Sequence, residues 1–286
     1  MCDSCGCGDP EIVAVELHEQ ILAGNDRTAQ HNREHFAAHG LFTVNLMGSP
    51  GSGKTAVLEA TARALPGGRR LGAIAGDLET DRDAARLRSA GIPAHAITTG
   101  SACHLDAAMI HHALHHFPLR GLDYLFIENV GNLVCPAIYD LGQAVNVVAL
   151  SVTEGEDKPL KYPGMFRKAD LVLLTKVDLL PYLPEVRVET IEQALARVMP
   201  RPALLSVSAR TGCGMELWAE WLETHRQSLA RRTQSPSRGD YEEPAEGVSA
   251  QDRCASQNAN LGPVAQRPGT SVAAATGARR PGEREG

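Results

Sequence analysis

The sequence predicts an α/β fold in which a mostly parallel sheet is flanked by helices. Short apolar runs of strand length alternate with amphipathic helical stretches through the middle of the chain. Gly, Asp or Pro bounds the runs, and a glycine-rich motif typical of phosphate-binding loops follows the first one. This alternation implies parallel strands with helices on both faces, and such sheets bind ligands beyond the carboxyl ends of their strands.

The predicted elements follow one another along most of the chain. A helix over 11–39 precedes the first strand, a later helix covers 105–117, and the last helix covers 215–229. The predicted strands lie in seven apolar runs, at 41–48, 69–77, 94–100, 124–131, 145–153, 170–178 and 202–208. The residues directly after these runs are therefore the first candidates for a binding site.

Composition divides the chain into three regions. Residues 1–10 form a Cys/Gly segment without a core-forming pattern, and residues 11–232 carry the apolar runs of one globular domain. Residues 233–286 are rich in Gly, Pro, Ser, Ala and Arg, and Leu261 is their only Leu, Ile or Phe. We expect this tail to be disordered, because it cannot bury enough apolar surface to offset its ordering entropy.

Charge and hydropathy exclude two classes of protein. The 286 residues carry a formal net charge of −6, which argues against nucleic-acid binding. No apolar run approaches the roughly 20 residues of a membrane-spanning helix. The chain starts MCDSCGCGDP, without the basic and apolar parts of a signal peptide, so we expect a cytoplasmic location. Seven cysteines in that compartment indicate metal or redox ligands rather than disulfides.

A complete phosphate-binding motif, G-x-x-x-x-G-K-[ST], follows the first predicted strand. Its residues are Gly48, Ser49, Pro50, Gly51, Ser52, Gly53, Lys54 and Thr55. The glycines allow backbone N–H groups to wrap around phosphate oxygens, and the next helix presents its positive N-terminus. We expect Lys54 to reach the β- and γ-phosphates and Thr55 to bind Mg²⁺. The alternative is a glycine-rich connection with no ligand.

Two carboxylates at the ends of predicted strands are candidates for the same site. Asp77 ends the second run, and Glu128 lies in the fourth, where Glu-Asn-Val-Gly resembles the D-x-x-G switch of GTPases. We expect both to position Mg²⁺, directly or through water, and Gly131 to turn its amide toward a γ-phosphate. The alternative is that both are strand-end polar residues or helix caps.

Two further motifs favour guanine over adenine. Thr175-Lys176-Val177-Asp178 is close to N-K-x-D, and the Asp178 carboxylate can accept hydrogen bonds from guanine N1–H and N2–H₂. Ser208-Ala209-Arg210 follows the last predicted strand and is close to S-A-K. The sequence departs from the two motifs at one position each, with Thr175 in place of Asn and Arg210 in place of Lys. The order of the four motifs favours GTP as the bound nucleotide.

The cysteines form two candidate metal sites. Cys2, Cys5 and Cys7 offer three thiolates within one short segment, and removal of Met1 would add the α-amino group. Such a set suits square-planar Ni²⁺ or tetrahedral Zn²⁺. Cys103 and His104 follow the third predicted strand, and Cys135 follows the switch closely. We expect these three at the same sheet edge; the alternatives are incidental or structural cysteines.

Histidines repeat on two predicted helices. His111, His112, His115 and His116 form two pairs at i, i+4, which could bind a metal ion or form a polar face with one or two packed rings. His31, His35 and His39 repeat in the same way and are interpreted as a solvated face. Cys213 and Cys254 are assigned no role.

The combined motifs resemble the HypB family of hydrogenase nickel-incorporation GTPases, in the signal-recognition/MinD-type branch of P-loop NTPases. The resemblance covers most of residues 1–230 and is carried by MCDSCGCG, GSPGSGKT, GDLETDRDAARL, TTGSACHLDA, LFIENVGNLVCP, SVTEGEDKPLKYP, LTKVDLLPYLP and SVSARTG. The region beyond about 232 does not resemble the family.

The resemblance implies a metallochaperone that helps load Ni²⁺ into [NiFe]-hydrogenase. It implies nickel or zinc at Cys2, Cys5 and Cys7, and at Cys103, His104 and Cys135. It also implies a nucleotide- or metal-dependent homodimer, a nickel-delivery accessory protein and the hydrogenase large subunit as partners.

For the reaction, we expect Lys54 and Mg²⁺ to stabilise the transferring phosphoryl group and Asp77 to orient the attacking water. Lys158 is a candidate to act in trans across a dimer. Two alternatives remain open at this point: a P-loop kinase of small molecules, and a metal storage protein with a regulatory nucleotide site.

Overall fold

The computed structural model describes residues 10–234, and the side chains of residues 20–232 within them. The predictions for Cys2, Cys5, Cys7 and Cys254, and those for the tail beyond 234, lie outside the described residues. The predicted boundary between the N-terminal segment and the globular domain falls at the start of the first helix.

A seven-stranded parallel sheet forms the centre of the molecule, as predicted. Its strands are β1 (Phe42–Gly48), β2 (Leu71–Asp77), β3 (Ala94–Thr98), β4 (Tyr124–Glu128), β5 (Val145–Ser151), β6 (Leu171–Thr175) and β7 (Leu204–Ser206). Their order across the sheet is β3-β2-β4-β1-β5-β6-β7. Each predicted run contains one strand. All seven strands are shorter than their runs, and in five of them residues at the carboxyl end leave the sheet to form loops.

Helices connect the strands and cover both faces of the sheet. They are α1 (Pro10–Ala38), α2 (Lys54–Ala64), α3 (Arg82–Ser89), α4 (Ala107–Leu114), α5 (Lys158–Lys161), α6 (Pro163–Arg167), α7 (Val188–Val198) and α8 (Met215–Gln234). Short 3₁₀ turns cover Cys135–Ala137, Val152–Glu154 and Val177–Tyr182. Among the described residues, no helix is both long enough and apolar enough to cross a bilayer.

The core lies between the sheet and these helices. Every residue of β1, β4 and β6 is buried, as expected for parallel strands covered on both faces. On one face, Leu46 and Phe126 pack with Leu58 of α2 and Trp218 of α8. The Trp218 Nε1–H donates to Thr61 Oγ1 at 2.9 Å, which satisfies its buried polar atom. This packing holds the carboxyl ends of β1 and β4 at one edge.

Candidate functional site

The phosphate loop joins β1 to α2 in a conformation that requires glycine. Gly48 has φ 146°, and a Cβ atom at this position would clash with the Ala149 carbonyl oxygen. Gly53, directly before α2, has φ 94°. Lys54 Nζ folds back and donates to the carbonyl oxygens of Gly48 at 3.3 Å and Ser49 at 3.1 Å. The loop therefore has the curvature and the cation needed to surround phosphate oxygens.

Glu128 is a buried carboxylate beside the phosphate loop. Its Oε1 accepts from Thr55 Oγ1 at 2.7 Å, and its Oε2 is buried with no hydrogen-bond partner among the described residues. Burial raises the pKa of Glu128 from an ordinary value near 4.5 to about 7. It lines a cavity of 460 Å³ together with Lys54 and Thr55. Oxygen ligands with an unsatisfied lone pair fit Mg²⁺ or its water.

Asp83 is a site residue that the sequence reasoning missed. It lies in the first turn of α3, and its Oδ1 is 2.9 Å from Thr55 Oγ1. The hydroxyl has one proton, so it donates to Asp83 or to Glu128 at any moment. The motif GDLETDRDAARL contains Asp83, but only α3 packing beside α2 brings it to Thr55.

Asp77 lines the same cavity but has different partners. Its carboxylate accepts from the backbone N–H of Glu79 at 3.1 Å and from Thr80 Oγ1 at 3.3 Å. These bonds order the loop between β2 and α3. Arg86 also lines the cavity, where two hydrogen bonds to Glu59, at 2.7 and 2.8 Å, hold its guanidinium group. The residues predicted to bind Mg²⁺ thus line one cavity. Within it, Asp83 contacts Thr55, whereas Asp77 bonds to residues of its own loop.

The switch segment packs directly on the phosphate loop. A Cβ atom on Gly131 would lie 2.9 Å from the nitrogen of Pro50, so only glycine allows this approach. The next residue, Asn132, forms an isolated antiparallel bridge with Gly48. A phosphate bound by the loop would therefore meet the switch backbone.

The predicted base-binding residues meet at the ends of β6 and β7. Ser208 Oγ donates to Asp178 Oδ1 at 2.7 Å, which orients the carboxylate. Lys176 has φ 59°, and its Nζ donates to the Gly51 carbonyl at 2.7 Å. Thr175 Oγ1 donates to the Ser52 carbonyl at 2.6 Å. Ala209 follows Ser208 in the same loop, so the base motifs border the phosphate loop.

Cys103, His104 and Cys135 form a compact candidate metal centre. Their ligand atoms lie within 4.8 Å of one another, and the two sulfurs are 3.0 Å apart. The His104 ring stacks on Tyr139 at 4.0 Å, and its Nδ1 is buried without a partner among the described residues. Burial lowers the pKa of His104, which favours the neutral, metal-binding form. Two thiols and an imidazole suit Ni²⁺ or Zn²⁺.

Two asparagines connect this centre to the nucleotide site. Asn132 Nδ2 donates to the Cys103 carbonyl at 3.3 Å, while its Oδ1 accepts from Val134 N at 2.8 Å. The buried Asn129 accepts from the Leu105 and Val130 backbone N–H groups, at 3.3 and 3.0 Å. The sequence reasoning missed both residues, although they lie inside the quoted motif LFIENVGNLVCP.

Two further side chains, one of them the predicted Lys158, lie in the segments after β5 and β6. Tyr182, in the apolar loop after Asp178, is 78% exposed. Lys158 lies 3.9 Å from Glu154 Oε2 and over the Tyr162 ring. Histidines of α1 and α4 contact one another, with the ring centres of His31 and His111 5.0 Å apart.

The fold and this site define a P-loop GTPase with a thiol-rich candidate metal centre at the same sheet edge. The family model described as "CobW/HypB/UreG, nucleotide-binding domain" matches residues 42–205. The chain belongs to the HypB family of hydrogenase maturation factors.

Relatives and solved structures support this assignment. The chain is 52% identical over 219 residues to hydrogenase maturation factor HypB of Azotobacter chroococcum mcd 1, covering 76% of this chain and 71% of that protein. It is 50% identical over 212 residues to the Escherichia coli (strain K12) factor, covering 74% and 73%. The crystal structure of Helicobacter pylori HypB in complex with nickel is 41% identical, with a TM-score of 0.69, covering 72% of this chain and 96% of that one.

Proposed function

We propose that this protein is a GTP-driven nickel metallochaperone that helps insert Ni²⁺ into [NiFe]-hydrogenase during its maturation. The observation that carries the proposal is the placement of the Cys103/His104/Cys135 centre. The Asn132 side chain donates a hydrogen bond to the Cys103 carbonyl of this centre, and the Asn132 backbone bridges to Gly48 of the phosphate loop. Related factors are named for hydrogenase maturation, and one was crystallised with nickel.

The nucleotide site supports hydrolysis of GTP in this proposal. Lys54 neutralises charge on the β- and γ-phosphates, and Asp178 selects guanine. Thr55 and Glu128, with Asp77 or Asp83, would hold Mg²⁺, which neutralises developing phosphate charge when bound. Asp77 orients the attacking water. The Oε2 atom of Glu128, which is buried and has no partner within residues 10–234, supports this set.

The metal sites and partners extend the proposal. Ni²⁺ is the cargo of the Cys103/His104/Cys135 centre, with Zn²⁺ as the competing ion. Cys2, Cys5 and Cys7 form a second nickel site in the N-terminal segment. We infer a cytoplasmic location, a nucleotide- or metal-dependent homodimer, and contacts with a nickel-delivery protein and the hydrogenase large subunit.

The test is a nickel titration of the full-length chain carrying Cys2→Ser, Cys5→Ser and Cys7→Ser. The titration is made with GDP and with a non-hydrolysable GTP analogue. We expect nickel affinities that differ by roughly 5- to 150-fold, the usual range of coupling between two sites. By reciprocity, nickel should change nucleotide affinity by the same factor.

Two controls sharpen this experiment. Adding Cys135→Ala should abolish the nickel binding that depends on nucleotide. Lys54→Ala should abolish GTP hydrolysis, since the phosphates lose their buried cation. Equal nickel affinities in both nucleotide states would refute the coupled mechanism. Phosphate transfer to a small-molecule acceptor, without free phosphate release, would indicate a kinase instead.

A further inference from the structure

Histidines are concentrated on α1, β3 and α4, and they are distinct from the thiol-rich centre. Of the chain's 11 histidines, nine lie on α1, β3 or α4, or in the turns directly after them, and the structure describes the side chains of eight of these. They are His31, His35, His39, His95, His111, His112, His115 and His116. Helices α1 and α4 pack side by side, so histidines from positions far apart in sequence become neighbours.

His111 lies at the centre of one group, which we name the α1–α4 histidine cluster. Its ring centre is 5.0 Å from that of His31 and 4.9 Å from that of His115. His35 and His39 complete the cluster, with ring centres 4.7 Å apart. Two imidazoles that share one metal ion, each bound at about 2.1 Å, have ring centres about 4.5–5.2 Å apart. The observed separations fall in this range.

Asn32 fixes the tautomer of His111. The Asn32 side chain is fully buried, and its Nδ2 group donates to the carbonyl oxygens of Ala107 at 2.9 Å and Leu141 at 3.3 Å. Its Oδ1 must therefore face His111, whose Nδ1 lies 3.2 Å away. Nδ1 carries the proton as the donor, and the lone pair remains on Nε2. Histidines that bind metals are commonly oriented by this kind of bond.

The charge environment also favours neutral imidazoles. Burial lowers the pKa of His35, and His39, His111, His31 and His115 lower it further. Burial, followed by His115 and His31, lowers the pKa of His111. Neutral imidazole is the form that binds metal. His31 and His115 are exposed, so their side chains can rotate toward a shared ion.

We propose that His31, His111 and His115 form an additional metal site, with His35 beside them. This site binds a borderline divalent cation such as Ni²⁺ through imidazole nitrogens alone. Imidazole suits Ni²⁺, Cu²⁺ and Zn²⁺. Cys103, His104 and Cys135 are the only three described residues whose ligand atoms already lie within 4.8 Å. In the histidine site, the rings of His31 and His115 each neighbour that of His111. Rotation of these exposed side chains brings the third imidazole nitrogen to a shared ion.

The test uses the full-length chain with Cys2, Cys5, Cys7, Cys103 and Cys135 each changed to Ser, which removes the thiols of both predicted Cys sites. Calorimetric titration with Ni²⁺ should show one remaining equivalent, without thiolate-to-nickel charge-transfer absorption. Adding His31→Gln and His115→Gln should remove that equivalent. Both residues are exposed, so circular dichroism should show an unchanged fold.

The matched control is His112→Gln with His116→Gln, the other i, i+4 pair along α4. It should keep the nickel equivalent. The proposal is overturned if the chain with the five Cys→Ser changes binds no nickel, if adding His31→Gln/His115→Gln leaves binding as before, or if the control loses as much. The readout needs neither GTP hydrolysis nor the thiol centre. In the chain with its cysteines intact, His31→Gln/His115→Gln should hydrolyse GTP at the normal rate.

Discussion

Asp178 is the residue on which we expect base selection to depend. Ser208 holds its carboxylate by a 2.7 Å hydrogen bond, which leaves the other oxygen and the remaining lone pairs for guanine N1–H and N2–H₂. Asp178→Asn should weaken GTP binding about 10- to 100-fold, because a charged acceptor is lost. Relative use of xanthosine triphosphate, whose base carries O2 instead of N2–H₂, should improve.

Competition binding with GTP, ATP and xanthosine triphosphate measures this preference. The exposed Glu185→Gln is a control for the loss of one surface charge and should leave the preference unchanged. A wild-type preference for ATP would show that the interpretation of the base motif is wrong.

Glu128 should make the nucleotide-free protein sensitive to pH. Its folded-state pKa is about 7, above its ordinary value near 4.5, because of burial. Between these values the folded state binds the proton more tightly than the unfolded state, so stability falls as pH rises through this window. Glu128→Gln should remove that fall. The unfolding free energy of the variant minus that of the wild type should therefore rise by roughly 3 kcal/mol between pH values below 4.5 and pH values above 7.

Urea unfolding without nucleotide or Mg²⁺, at about pH 5 and about pH 8, measures the difference. The exposed Glu220→Gln, on α8, should show no comparable change between the two pH values. If the variant and the wild type differ in stability by the same amount at both pH values, Glu128 ionises in the folded protein without lowering its free energy of unfolding.

At the scale of elements, the segment between β4 and the Cys135–Ala137 turn links the two sites. Asn132 bridges to Gly48 through its backbone and donates to the Cys103 carbonyl through its side chain. Asn132→Asp removes the donor but keeps the acceptor for Val134 N–H. We expect it to bring the nickel affinities measured with GDP and with a GTP analogue toward equality.

The same nickel titrations provide the measurement, with Asn132→Ala as a second variant that removes both bonds. Both variants should keep nickel binding itself, since neither removes a ligand. If Asn132→Asp preserves the full difference between nucleotide states, coupling passes through another contact, and Asn129 is the next candidate.

At the scale of the whole molecule, the apolar loop after Asp178 is a candidate dimer contact beside the nucleotide edge. Leu179, Leu180 and Leu183 are half-buried, whereas Tyr182 is 78% exposed. Large aromatic side chains dominate the energy of many interfaces. We expect light scattering to show more dimer with a GTP analogue than with GDP, and Tyr182→Ser to reduce that dimer.

Ile21→Ser is the control, since Ile21 is 51% exposed on α1 and lies on another element. It should leave the nucleotide-dependent dimer intact. A wild-type chain that stays monomeric in both nucleotide states would contradict the proposed contact.

The sequence by itself determined the features that depend on local pattern. The apolar runs predicted all seven strands, because buried parallel strands are continuously apolar and end at motif residues. The G-x-x-x-x-G-K-[ST] motif predicted the phosphate loop, whose backbone only glycine can adopt at Gly48. The pairing of Cys103 and His104 with Cys135 was also predicted, because both segments follow parallel strands and so reach the same edge.

Only the tertiary structure decided which distant residues touch. Asp83 rather than Asp77 contacts Thr55, because α3 packs beside α2 at the cavity. The interpretation of His31, His35 and His39 as a solvated face missed their approach to His111 and His115, which requires α1 to lie against α4. Periodicity determines the face of a single element, whereas these contacts depend on which two faces the shared core brings together.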